Sequence, residues 1–154
     1  MTTAGELLKH SALFEGASAG IVATFLERAA TVHLAAGEVP IAESTVTDQI
    51  LMIFEGELRL EVALQEIDQD LKLLRAGPGT FLGLVNFFGT ASQPFSATAL
   101  TPVAALAWKA DDWRRLCEEN PAFGYQLSQR IGRELVERMS NWINNLLNTV
   151  NWVM

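Results

Sequence analysis

The chain has 154 residues, 49% of them hydrophobic and 19% charged, which fits one folded domain with its own core and excludes a disordered segment. Its net charge of −7, from 11 basic and 18 acidic residues, is the wrong sign for a surface that neutralises nucleic-acid phosphates or docks on an anionic membrane. A single cysteine, Cys117, excludes an intrachain disulfide and a cysteine-rich zinc site, and no apolar run reaches the roughly 18 residues of a membrane span.

Met1 to His10 has no basic start leading into an apolar stretch, so no signal peptide and a cytoplasmic location are expected. Residues 4–30 read as helical. Leu7, Leu8, Leu13 and Phe14 are apolar, Gly16 breaks the pattern, and Ser18 can cap a second helix with Ile21, Val22, Phe25 and Leu26 at helical spacing. From Thr31 the period shortens, with Val32 and Leu34 flanking His33 before a turn at Gly37. Ile50 to Phe54 is an apolar run that fits a strand buried on both faces, broken by Glu55-Gly56-Glu57. Leu58, Leu60, Val62 and Leu64 alternate with Arg59, Glu61, Ala63 and Gln65, a half-buried strand. Ile67-Asp68-Gln69 reads as a hairpin tip, and Leu71, Leu73 and Leu74 as the return strand.

Next comes Gly77-Pro78-Gly79-Thr80-Phe81-Leu82-Gly83, followed by Leu84 to Gln93 and by Pro94-Phe95-Ser96-Ala97-Thr98. This is the layout of a phosphate-binding cassette, a glycine-punctuated turn after a strand where backbone N–H groups can face a phosphate. Short strands are expected around 96–100 and 103–108, separated by Thr101-Pro102. Asp111 is the expected N-cap of a short helix through Trp113 and Leu116, and Asn120, with Pro121 at the first helical position, the expected cap and start of a longer one. From Ala122 to Met154 little but Gly124 and Gly132 weakens the helix, which would run roughly 45–50 Å. Leu135, Met139, Trp142, Leu146, Val150 and Val153 repeat at steps of four and three, with Ile131, Ile143 and Leu147 beside them. A stripe this long must be buried, against the chain's own strands or, on the reading preferred here, against a second copy of the chain. The fold class is therefore α+β in one domain over residues 1–154: helices over about 4–30, a strand roll over about 31–109, and helices over about 111–154.

The order of these elements resembles the cyclic-nucleotide-binding domain of the catabolite activator family and of protein kinase regulatory subunits. Leu13-Phe14-x-Gly16, Gly37-Glu38-Val39, Ile53-x-x-Gly56-x-Leu58, Leu74-x-x-Gly77-Pro78-Gly79-x-Phe81-x-Gly83, Ala97-Thr98 and Pro121 carry the resemblance. It implies a β-roll of jelly-roll type and a regulatory, non-enzymatic, bacterial signalling domain. It also implies that Trp142 or Trp152 can lie over a ligand. In nucleotide-binding members a Glu after the cassette glycine holds the ribose, and here Leu84 stands there. An Arg after the cassette proline holds the phosphate, and here Phe95 follows Pro94. No Lys or Arg occurs between Arg75 and Lys109, so a cyclic phosphate would lack its bidentate cation. The DNA-reading helix-turn-helix that follows the long helix in the family's transcription factors is not expected here either.

The expected ligand pocket is thus formed by Phe81, Leu82, Gly83, Leu84, Val85, Pro94, Phe95, Ser96, Ala97 and Thr98, with Phe87 and Phe88 beside them and Asn86, Ser92 and Gln93 among its polar anchors. Whether this apolar set is a pocket or a filled core stays open. The leading expectation is a regulatory domain sensing a small apolar or aromatic effector, dimeric through its last helix and acting on a separate output protein. A ligand-free dimerisation module, or a cyclic nucleotide held by backbone amides alone, are the alternatives. No metal, cofactor or catalytic residue is expected. His10 and His33 lie on different elements, Asp111-Asp112 and Glu118-Glu119 read as solvated faces, and Arg130, Arg133 and Arg138 with Glu134 and Glu137 read as ion pairs beside a dimer seam.

Overall fold

Hydroxyl caps open the first two helices of the computed structural model. It describes residues 3–64, 69–89 and 92–153, with the backbone alone for residues 63, 64, 69–74, 146 and 149–153. Thr3 Oγ1 accepts from the Glu6 N–H at the start of α1 (Ala4–His10), and Ser18 Oγ accepts from the Ile21 N–H at the start of α2 (Ala19–Arg28). Each hydroxyl satisfies a donor that helix geometry leaves without a partner. A 3-10 turn, Ala12–Phe14, joins the two helices and buries Leu13 and Phe14.

The strands are β1 (Ala30–Leu34), β2 (Gln49–Glu55), β3 (Leu58–Leu64), β4 (Gln69–Ala76), β5 (Phe81–Leu82), β6 (Ser96–Ala99) and β7 (Val103–Lys109). They form two antiparallel sheets, ordered β1-β7-β2-β5 and β4-β3-β6. Gln69, expected in the hairpin tip, already belongs to β4 and pairs with Leu64. The rest of the expected tip lies outside the described residues.

The apolar run of β2 is explained by burial on both sides. Leu51 and Ile53 point between the sheets, joining Leu58, Leu60, Leu82, Ala97, Ala99, Val103 and Ala105. Ile50 and Met52 point the other way, joining Phe81, Leu106 and Trp108 beneath the helices. There Trp113 and Leu116 from α3 (Ala110–Glu119), Phe14, Phe25 from α2, and Phe123, Leu127 and Ile131 from α4 (Pro121–Val153) complete a second core. Trp108 Nε1 donates to the Phe25 carbonyl at 2.7 Å, tying β7 to α2.

Two expected caps are corrected. β7 runs directly into α3, which starts at Ala110 with no side-chain cap; the Ala110 N–H donates instead to the Asp48 carbonyl at 2.7 Å, and Asp111 lies in the first turn, where it pairs with Arg114. Asn120 does precede α4, but its side chain turns back. Its N–H and its Nδ2 both donate to the Leu116 carbonyl, at 3.1 and 3.0 Å, and so close α3.

Gly124, a weak point by helix propensity, is where α4 crosses α3. A Cβ there would lie 2.6 Å from the Cys117 carbonyl oxygen. At that crossing, burial and then the Glu118 carboxylate push the Cys117 thiol up to about 11, so the thiolate is scarce at neutral pH. Iodoacetamide should label Cys117 roughly tenfold or more slowly in the folded protein than in the denatured chain near pH 8. Intact-mass kinetics checks this, and equal rates would mean the thiol is neither buried nor raised.

Candidate functional site: the cavity beneath the last helix

The cassette is built around Gly83, which ends β5 in the left-handed region (φ +80°) and starts a 3-10 segment, Leu84–Phe88. Asn86, buried in that segment, fastens it to the sheet. Its Nδ2 donates to the Gln49 carbonyl at 2.9 Å and to Thr47 Oγ1 at 3.1 Å, while its Oδ1 accepts from Gln93 Nε2 at 3.2 Å. Arg114 reaches across from α3, where Nη1 donates to the Asn86 and Phe87 carbonyls at 2.6 and 3.2 Å and Nη2 pairs with Asp111. The cassette, which has no cation of its own, is therefore braced by one from another element, through its carbonyls.

Between the cassette and α4 lies a cavity of about 240 Å³. Gly83, Leu84, Val85, Gln93, Pro94 and Phe95 line one side, and Leu135, Arg138, Met139 and Trp142 the other. The Phe95 and Trp142 rings meet edge to face, with centroids 4.9 Å apart, a favoured aromatic geometry. Arg138 is nearly buried, its side chain 13% exposed, and its Nε donates to Glu134 Oε1 at 3.1 Å. Burial lowers its pKa, and the Glu134 carboxylate opposes that. Arg138 and Glu134 also line a second cavity of about 320 Å³ towards α1, beside His10, Thr80 and Phe81. Among the described residues no group of three or more His, Cys, Asp or Glu is placed to hold a metal, and no helix is long and apolar enough to cross a membrane.

Of the expected pocket residues, Gly83, Leu84, Val85, Pro94 and Phe95 come together around the first cavity. Phe81 does not join them: it faces the helical core, its ring 6.0 Å from that of Trp113. Leu82 and Ala97 lie between the sheets. Ser96 Oγ accepts from the Glu43 N–H, and Thr98 pairs with Arg59 in the sheet. Strand alternation sends neighbouring residues to opposite faces, so residues adjacent in the sequence do not share one pocket wall. The expected seam also divides. Leu135 and Trp142 face the chain's own roll, Met139 is 52% exposed at the rim, and the side chains of Leu146, Val150 and Val153, like that of Trp152, lie outside the described residues. Val136, Met139, Ile143 and Leu147 form the outward apolar face.

Arg138, expected as an ion-pair residue beside a dimer seam, pairs with Glu134 and also lines the cavity. The signal that places it at the cavity is its spacing, three residues after Leu135 and four before Trp142, which puts all three on one helical face. Arg114 gave no such signal, because its partners are main-chain carbonyls.

Residues 31–120 match the family described as the cyclic nucleotide-binding domain. The chain belongs to that family. Over 145 residues it is 23% identical to a CRP-like cAMP-activated global transcriptional regulator of Mycobacterium tuberculosis, covering 94% of this chain and 62% of that protein. The chain thus spans under two thirds of the curated relative's length. Among solved structures it superposes on a cyclic nucleotide-binding domain from Methylobacillus flagellatus with a TM-score of 0.80, at 17% identity over 94% of this chain and 80% of that one. The N-terminal domain of a transcriptional regulator from Streptomyces coelicolor gives a TM-score of 0.75 at 22% identity, over 87% of this chain and 93% of that one. These structures share the family's antiparallel β-roll with its long final helix.

Proposed function

We propose that this cyclic nucleotide-binding domain is a non-enzymatic regulatory domain. In this reading it senses a small apolar or aromatic ligand between the cassette and α4, and does not hold cAMP or cGMP in the family's usual way. The observation that carries the reading is the cavity itself, walled by Leu84, Val85, Pro94, Phe95, Leu135 and Trp142. Leu84 and Phe95 occupy the positions where the family resemblance expects the ribose-holding Glu and the phosphate-holding Arg. At about 240 Å³ the space is below the roughly 300–1,000 Å³ of drug-sized sites, yet larger than a cavity of about 150 Å³ that takes benzene. A ring with a few further heavy atoms suits it better than a nucleotide.

Occupancy would be felt by α4, since Leu135, Arg138, Met139 and Trp142 all belong to it. The outward face of Val136, Met139, Ile143 and Leu147 is the surface through which two copies would pair, and a separate output protein would read the result.

The test is the thermal unfolding midpoint of the purified chain with millimolar cAMP, cGMP and a panel of small aromatic acids, beside light scattering for the dimer. A ligand at a hundredfold excess over its Kd adds about 2.7 kcal/mol of stability and must raise the midpoint. The expected result is a rise with an aromatic acid and none with the nucleotides. A rise with a nucleotide would overturn the reading of Leu84 and Phe95; no rise with any compound would favour a ligand-free dimerisation module.

A further inference from the structure

The hydrogen bonds around Asn86 fix the chemistry of one wall of the cavity. A main-chain carbonyl only accepts, so the Asn86 atom facing Gln49 must be Nδ2. Asn86 Oδ1 then faces Gln93, which must answer with Nε2. Gln93 Oε1 is left over. It is buried without a hydrogen-bond partner among the described residues, in a residue only 2% exposed that lines the cavity. Trp142 Nε1, in a residue on the opposite wall, is likewise buried without a partner among the described residues. Buried polar atoms are paired in the great majority of cases, and leaving one unpaired costs free energy. Here an acceptor and a donor are left unpaired around the same space.

The third polar group is Arg138. Its one hydrogen bond among the described residues is made by Nε to Glu134, which leaves the Nη fork, the part shaped for a carboxylate. Glu134, with a side chain 39% exposed, can turn to water when another carboxylate replaces it. The cavity therefore has a cationic fork on an otherwise apolar wall, with a spare acceptor and a spare donor buried in two of its lining residues.

We propose that the ligand is a small aromatic monocarboxylic acid bearing a ring hydroxyl or ring N–H, with its carboxylate on Arg138 in exchange for Glu134 and its donor on Gln93 Oε1. This rests on the proposed function and names the ligand class for the same cavity.

Calorimetric titration of the full chain at neutral pH with 3- and 4-hydroxybenzoate, benzoate and phenol tests it. At least one hydroxybenzoate should bind about tenfold or more tightly than both benzoate, which lacks the donor, and phenol, which lacks the charge. Arg138→Gln should weaken the hydroxybenzoate about tenfold or more and leave phenol unchanged. Glu134→Gln, which removes the competing carboxylate without touching the apolar walls, should tighten hydroxybenzoate and benzoate and leave phenol unchanged. Gln93→Met should bring hydroxybenzoate down to the level of benzoate. If phenol binds as well as the acids and the Arg138 and Glu134 variants change nothing, this assignment falls while the apolar-sensor reading stands. If none of the four compounds binds the folded chain, both fall.

Discussion

Replacing Gly83 with alanine is expected to lower the unfolding free energy by about 2–5 kcal/mol, read as a fall in the guanidinium midpoint. Two costs add. The left-handed conformation at φ +80° costs an L-residue roughly 1–2 kcal/mol. The new Cβ would also lie 2.3 Å from the Gln49 carbonyl oxygen, and overpacking of that kind costs about 1–3 kcal/mol. That oxygen cannot retreat freely, because Asn86 Nδ2 is bonded to it. Gly79→Ala separates the two costs: its φ is +92°, but a Cβ there meets nothing within 4 Å, so only the conformational part should appear. If the two variants are equally stable, the cassette does not press on β2 as described.

Trp113→Ala should cost about 3–5 kcal/mol, the range for removing a buried large aromatic. Trp113 is 0% exposed. Its ring meets Trp108 at 5.3 Å, Phe25 at 5.5 Å, Phe14 at 5.7 Å and Phe81 at 6.0 Å, so one side chain joins α3, α2, the N-terminal turn and two strands. Its Nε1 is buried without a partner among the described residues, so Trp113→Phe gives up volume but also removes an unsatisfied donor. That variant should retain most of the stability. Urea unfolding of the two variants side by side is the check, and an alanine variant within about 1 kcal/mol of the parent chain would mean that the helical core does not centre on this ring.

Periodicity made most of the architecture legible. The double-sided burial of Ile50–Phe54, the alternation after Leu58, the Ser18 cap and the start of α4 at Pro121 all depend on neighbours along the chain, which is the information a single sequence carries. Asp111 and Asn120 were misjudged as caps because their competing partners are remote in one case and backward in the other: Asp48 supplies an acceptor from 62 residues away (110 − 48) for the Ala110 N–H, and Leu116 draws Asn120 back into α3. At the site, the family resemblance located Leu84, Phe95 and Trp142, while periodicity put Trp142 in a dimer seam, and neither could tell that Phe81 looks into the other core. Arg138 shares the Leu135–Trp142 face, and the sequence alone reads it as an ion pair beside a dimer seam; the pair with Glu134 is there, but Arg138 also lines the cavity. Its burial depends on how α4 lies over the roll, a property of packing and not of spacing.

The brace that Arg114 and Asn86 give the cassette turn bears on the rate and entropy of binding. A loop that waits for its ligand before folding must give up backbone freedom on binding, at roughly 1–2 kcal/mol per residue ordered. Here the turn is already fixed by hydrogen bonds to α3 and β2, so that cost was met when the protein folded. For the proposed ligand, binding would then draw on desolvation and on rearrangement of α4 side chains such as Arg138 and Trp142, whose ring meets Phe95 edge to face. The floor of the cavity is tied down by hydrogen bonds to the sheet and to α3, and α4 supplies the wall above it.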